Sequence, residues 1–145
     1  PILQKLKVGE THTLAELWAQ GQFIAPLSAK DFVSYGVTSL GVDKKGDMPW
    51  PKERREEFSH RDGKGNLFVL WDPKEKRKAL LVLRLYDIDN KLISEAKPLK
   101  LDLKKGIQSM SSWEVPVSNL PAGTYRLDVL LDDGPAWRGF FRVVE

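Results

Sequence analysis

Apolar residues recur at every second position through the last third of the chain, the spacing of β-strands that bury one face. Between Asn119 and Val143 the pattern is interrupted once, at the turn sequence Asp-Asp-Gly-Pro (132–135). Glycine is expected to supply a positive φ there, and proline to fix the exit of the turn. We therefore predict a β-hairpin whose inward residues on the first strand are Tyr125, Leu127, Val129 and Leu131.

The same period, or an unbroken apolar run bounded by turn residues, indicates further strands upstream. They are expected at Phe32 to Val42, Asn66 to Trp71, Ala79 to Tyr86, Leu92 to Leu103 and Ser111 to Ser118. Trp71, Trp113 and Trp137 fall in these strand patterns and are predicted to lie in the core. No apolar run approaches the roughly 20 residues of a membrane-spanning helix, so we expect no membrane insertion.

The first 31 residues are less regular. Thr13 suits a helix N-cap, Glu16 follows three positions later and Gly21 suits the C-cap, so a short helix is predicted within Thr11 to Gly21. At 145 residues the chain has the size of one domain, with residues 1–31 as an N-terminal extension and 32–145 as the β-sandwich. A start at Pro1 without a leader leads us to expect a processed protein or an excised segment.

The segment from Asp43 to Gly65 has a different composition, since 14 of its 23 residues are charged or histidine. We predict one long polar loop there, and loops of that length in a small domain commonly have a function. Trp50 lies in it between two prolines, with Arg54 and Arg55 close behind. A tryptophan stiffened by proline and flanked by arginines is typical of a protein interface, so these three residues are the predicted binding site. The alternative is that Trp50 folds back and covers an edge of the sandwich.

Leu120 to Tyr125, the sequence LPAGTY, resembles the corner between strands E and F of immunoglobulin-like and fibronectin-III-like sandwiches. The resemblance implies an all-β, antiparallel immunoglobulin-like sandwich, in which the Tyr125 hydroxyl bonds back to the preceding loop. It implies strands A, B, C, C′, E, F and G for the segments described above, although the cysteine pair of antibody-type domains is missing. It further implies a bacterial module attached to an exported or surface protein, hence a periplasmic or extracellular location.

Residues suited to catalysis or metal binding are scarce. There is no cysteine, and the two histidines, His12 and His60, are 48 positions apart without a nearby second nitrogen ligand. The sequence HRDGKGN (His60 to Asn66) is interpreted as a turn, because Asp-Gly and Gly-Asn are strong turn signals. We therefore expect no catalytic residues, no metal and no cofactor.

A net charge of +3 comes from 23 basic and 20 acidic residues, mixed along the chain rather than gathered into a basic stripe. This distribution argues against a nucleic-acid partner. The predicted function is non-catalytic interaction with a protein partner. The first alternative is a carbohydrate-binding module, which requires exposed coplanar aromatic rings, and the second is an enzyme, which requires a polar cluster in a cleft.

Overall fold

Two β-sheets packed face to face make up the part of the chain that the computed structural model describes, residues 27–28, 31–45, 48–132 and 134–145. The strands in chain order are β1 (Leu27–Ser28), β2 (Val33–Lys45), β3 (Met48–Arg54), β4 (Glu57–Ser59), β5 (Gly65–Trp71), β6 (Arg77–Asp87), β7 (Leu92–Glu95), β8 (Leu99–Leu103), β9 (Ser109–Val115), β10 (Gly123–Leu131) and β11 (Gly134–Val144). Single turns of 3-10 helix lie at His60–Asp62 and Val117–Asn119.

The larger sheet has the strand order β1-β11-β10-β6-β7, with β4 also paired to β11 and β8 also paired to β6. The smaller sheet has the order β3-β2-β5-β9. All pairings are antiparallel except that of β4 with β11. The side chains of the two inner faces form one core.

The predicted strands A, B, C, E, F and G are each found as a strand, but strand E is shorter at its end than predicted, because β9 stops at Val115 and a 3-10 turn follows at Val117–Asn119. β2, β5 and β9 take the places of A, B and E in one sheet, whereas β6, β10 and β11 take those of C, F and G in the other. Strand C′ is divided into β7 and β8, and the division falls at Pro98, which lacks the N–H of a continuous ladder. The helix predicted within Thr11 to Gly21 lies outside the described residues.

The prediction of one long polar loop from Asp43 to Gly65 is wrong. Most of the segment is ordered as the end of β2, then β3, β4 and a 3-10 turn. β3 is the edge strand of the smaller sheet, where charged side chains remain in water and proline is tolerated. Pro49 and Pro51 lie two residues apart, so their missing N–H groups fall on one side of the strand, the side away from β2.

The three tryptophans predicted to lie in the core are buried there. The Trp71 indole Nε1 donates a hydrogen bond to the Ser111 hydroxyl at 2.8 Å, linking β5 to β9. Trp113 lies at the boundary of the core, with 9% of its surface exposed. These side chains are large enough to fill the space between the sheets, so the prediction that they lie in the core is confirmed.

The Trp137 indole occupies a space that two glycines leave open. A Cβ on Gly36 of β2 would lie 2.4 Å from its Cε2 and Nε1 atoms, and a Cβ on Gly139 would lie 2.3 Å from its Cη2. Gly36 belongs to the smaller sheet and Trp137 to the larger one, so this ring packs directly against the backbone of the opposite sheet. Among the residues described, its Nε1 has no hydrogen-bond partner.

Tyr125 makes the hydrogen bond that the resemblance implies. Its hydroxyl donates to the carbonyl oxygen of Pro121, across the corner that precedes β10. The ring stacks on Phe141 of β11 with a centroid separation of 5.5 Å. Burial, with a smaller contribution from the charge of Asp87, raises the pKa of the Tyr125 hydroxyl above its ordinary value.

Alanine at Gly36 tests the contact with Trp137. The added methyl group overlaps the indole, so the free energy of unfolding should fall by about 1–3 kcal/mol, measured by urea denaturation. Gly41→Ala, in the same strand, is the matched control, since its Cβ would meet Lys52 only at an ordinary 3.8 Å. Equal stabilities for the two variants would contradict the packing described.

Tyr125→Phe tests the corner hydrogen bond. Its loss should cost about 0.5–1.5 kcal/mol at neutral pH. Because the hydroxyl pKa is higher in the folded chain than in the unfolded one, wild-type stability should also decline as the pH rises above the unfolded tyrosine value of about 10. The variant should lose this part of the alkaline decline. Unfolding curves for both proteins at neutral and alkaline pH measure the two effects, and identical pH profiles would refute the second.

Candidate functional site

Trp50 is on the edge strand β3, opposite Asp43 of β2. Its exposed fraction is 36%, far above those of the three core tryptophans. The residue is thus partly open to solvent.

The two predicted arginines differ in what they contact. The Arg54 guanidinium lies 5.7 Å from the centroid of the Tyr35 ring, a cation–π distance that leaves the exposed arginine accessible. Arg55 comes after the strand, and its guanidinium is within 3.4 Å of Asp62 and 3.5 Å of Glu53. Its backbone also exchanges hydrogen bonds with Thr38, so Arg55 connects the end of β3 to the following turn.

Trp50 and Arg54 are four residues apart in β3, and a φ of 56° at Glu53 interrupts the extended backbone between them. The structure therefore spreads the predicted site along the strand. Lys52 lies between them, exposed, with Gly41 opposite. Lys52 was not predicted as a site residue because the segment was interpreted as a loop, whereas period-2 alternation places Trp50 and Lys52 on the same side of the strand.

A groove of about 610 Å³ lies between the β2–β3 hairpin and the strands β5 and β9. The smaller sheet is strongly curled, so β3 approaches β9 although two strands separate them in the ladder. The residues that line the groove are Val42, Lys44, Pro49, Asn66, Ser112, Trp113 and Glu114.

Positively and negatively charged side chains both line this groove. Lys44 brings a cation and Glu114 a carboxylate, the latter within 2.7 Å of Lys64 Nζ. Asn66 is buried and donates through Nδ2 to the carbonyl oxygen of Leu40 at 3.2 Å. A ligand in the groove would meet hydrogen-bond donors, acceptors and the edge of Trp113, the combination of polar and aromatic groups found in small-molecule sites.

His60 has a structural contact. Its Nε2 lies 2.5 Å from the carbonyl oxygen of Leu120 and donates to it, which connects the two 3-10 turns. The predicted turn is confirmed: Ser59 and Asp62 form a capping box, and Gly63 has a φ of 75°. Among the residues described, no three His, Cys, Asp or Glu side chains are grouped as metal ligands.

A charged cluster lies on the outer face of the larger sheet, made of Arg126, Asp128 and Arg138. Arg138 Nε and Nη2 each bond an Asp128 carboxylate oxygen at 2.8 Å, and the Arg126 guanidinium lies 4.1 Å from the Tyr86 ring centroid. All three are at least 92% buried. Burial lowers the pKa of Arg126, and the charge of Asp128 opposes that shift. Since the cluster is buried and internally paired, its role is structural.

The structure is similar to several solved proteins at low sequence identity. An immunoglobulin-like protein of Pseudomonas aeruginosa superposes with a TM-score of 0.50 at 13% identity, over 83% of this chain and 98% of that one. The C-terminal domain of Wzt gives 0.53 at 8% identity, over 83% and 77%. Identities this low show the fold alone. The fold is an immunoglobulin-like β-sandwich.

The alkylpurine DNA glycosylase AlkC of Pseudomonas fluorescens, solved bound to DNA with an abasic-site analogue, gives a TM-score of 0.52 at 13% identity. The match covers 62% of this chain but only 28% of that enzyme, so the chain spans a minor part of AlkC. No family model and no curated protein matches the sequence. Within the described residues, no helix is long and apolar enough to cross a membrane.

Asp128→Asn tests the buried cluster. The substitution leaves two buried guanidinium groups without their shared carboxylate, so the free energy of unfolding should fall by about 3–5 kcal/mol. Glu95→Gln is the matched control, because Glu95 pairs with Arg84 at 3.3 Å on the exposed part of the same sheet. That change should cost less than about 1 kcal/mol. Chemical denaturation of both variants measures the difference, and a small loss for both would show that the cluster is not tightly coupled.

Proposed function

We propose that this chain is a non-catalytic interaction module of a bacterial exported or surface protein, working in the periplasm or outside the cell. Its contact surface is the outer part of the β2–β3 hairpin, with Trp50, Lys52 and Arg54 as the contacting residues. The observation that carries this proposal is the partly exposed indole of Trp50 on a proline-flanked edge strand.

The physical argument concerns the entropy lost on binding. Trp50 is held by a two-stranded ladder and by prolines on both sides, so little backbone freedom remains to be lost when a partner covers it. Tryptophan and arginine are the residues that most often dominate binding energy at protein interfaces. Lys52 and Arg54 add positive charge, which favours a partner surface with acidic groups.

Arg55 contributes indirectly. Its ion pairs with Glu53 and Asp62 hold the end of β3 against the turn that follows. It therefore orients the hairpin that presents Trp50. We assign binding contacts to Trp50, Lys52 and Arg54 and a positioning role to Arg55.

The cell-envelope location rests on the resemblance of the LPAGTY corner to modules of exported bacterial proteins. A sandwich of this type has no activity common to all its members, so the surface has to specify the partner.

Carbohydrate binding is the second candidate, and the groove favours it. Trp113, Asn66 and Ser112 together supply an aromatic edge, an amide and a hydroxyl, which suit the hydroxyl groups and apolar faces of a sugar. Trp50 and Trp113 are on different strands, β3 and β9. Because a shared sugar-binding platform would need both rings in one plane, the carbohydrate candidate rests on the groove rather than on these two rings together.

The proposal is tested by quantitative affinity capture from an envelope extract of the source organism. Immobilised wild-type protein should retain a specific protein, and Trp50→Ala should reduce that retention by roughly thirtyfold, as expected for the loss of about 2 kcal/mol at an interface hot spot. Leu92→Ala is the matched control, because it removes another exposed apolar side chain, 47% exposed and on a different strand. It should leave capture unchanged.

A glycan array with the same proteins separates the two candidates. Glycan binding that is lost in Ser112→Ala would favour the carbohydrate module and count against the protein-partner proposal. Equal retention of every captured protein by wild type, Trp50→Ala and Leu92→Ala would also refute it. Circular dichroism spectra confirm in each case that the variant is folded.

A further inference from the structure

We propose that β8 joins two copies of this chain, in antiparallel pairing about a twofold axis at Leu101, into one continuous sheet. The partner is thus a second copy of the chain. The observation that supports this proposal is that Lys100 and Asp102 lie two residues apart on one free edge of the larger sheet. It concerns a different edge from the β2–β3 hairpin and does not depend on the proposed function.

β8 has one neighbour among the described strands, β6, so its other edge is open. The direction of its backbone groups follows from Leu80 of β6, which lies opposite Lys100. Leu80 N–H donates to Asp132 Oδ1 at 2.8 Å, and its carbonyl accepts from Asp132 N–H at 2.9 Å. Both backbone groups of Leu80 therefore point away from β8, toward the end of β10.

In an antiparallel ladder, two directly opposed residues either both direct their backbone N–H and C=O groups toward each other or both direct them away from each other. Lys100 thus directs its N–H and C=O outward, and Asp102, two residues along, does the same. The outward edge of β8 consequently offers two complete pairs of backbone donors and acceptors. They are positioned to pair with another strand rather than being tied up in the existing ladder.

The sequence of β8, Leu-Lys-Leu-Asp-Leu, is complementary to itself in reverse. With the twofold axis at Leu101, Lys100 lies opposite Asp102 of the second copy, and the same pair is repeated by symmetry. Each pair exchanges two backbone hydrogen bonds, and opposite charges directly across a ladder are stabilising.

Neighbouring registers are disfavoured. An axis at Lys100 would place two lysines opposite each other and would pair Asp102 with Pro98, which has no N–H to donate. An axis at Asp102 would place two aspartates opposite each other and Lys100 opposite Lys104. A single lysine on an edge normally opposes pairing, but in the Leu101 register Asp102 neutralises it.

The apolar residues of this edge point to the same conclusion. Leu99 is 46% exposed although it faces the side of the sheet that carries the core, and Leu101 is partly buried against that core. In the proposed pair, Leu99 meets the buried Leu103 position of the second copy, and Leu101 meets its own counterpart. Since one five-residue strand makes a small interface, the association should be weak and concentration-dependent.

Sedimentation equilibrium of the full chain over a concentration series tests the proposal with two charge variants. Wild type should approach twice the 16.5 kDa chain mass at high concentration. Lys100→Asp places aspartates opposite aspartates, and Asp102→Lys places lysines opposite lysines. Each variant alone should raise the dissociation constant at least tenfold, equivalent to about 1.4 kcal/mol.

An equimolar mixture of the two variants provides the decisive measurement. Every Asp at 100 or 102 then meets a Lys of the other variant, so the mixed dimer should form with nearly wild-type affinity, as should the double variant Lys100→Asp, Asp102→Lys. Lys105→Asp, an exposed position beyond the strand, is the control for a simple change of net charge and should associate like wild type.

Three results would overturn the proposal: a wild-type chain that stays monomeric over the whole series, single variants that associate as well as wild type, or a mixture that fails to recover association. The substituted side chains are exposed, and circular dichroism checks that each variant is folded.

Discussion

The packing of the Trp137 indole between Gly36 and Gly139 sets how closely the two sheets approach each other. The indole fits only because neither glycine carries a Cβ. It fills the space beside the bare backbone of Gly36 in the opposite sheet. Trp71 has a polar partner for its indole N–H, whereas Trp137 has none among the residues described, so the latter contributes by shape rather than by hydrogen bonding.

Much of the sandwich could be predicted because its strands follow local rules. Alternation located β10 and β11, unbroken apolar runs located β5 and β6, and the LPAGTY sequence predicted the hydrogen bond from Tyr125 to Pro121. These features depend on residues that are close in sequence or on a simple period. The glycines around Trp137 could not be predicted, because their importance depends on which residue of the other sheet lies opposite.

The candidate site shows where the sequence is less informative. Fourteen charged or histidine residues made 43–65 look like a loop, but charge is compatible with a strand that has only one neighbour. The selection of Trp50 as a contact residue stays a prediction, and the structure shows only that this residue is 36% exposed. The groove under the hairpin arises from the curl of the smaller sheet, a property of the whole sheet that no short pattern encodes.

Pro49 and Pro51 give β3 an edge without N–H groups at two successive outward positions. A strand from another molecule cannot complete a ladder there, whatever its sequence. Growth of the smaller sheet beyond β3 is therefore blocked by the backbone itself, so copies cannot add to one another as a fibre through that edge even at high local concentration.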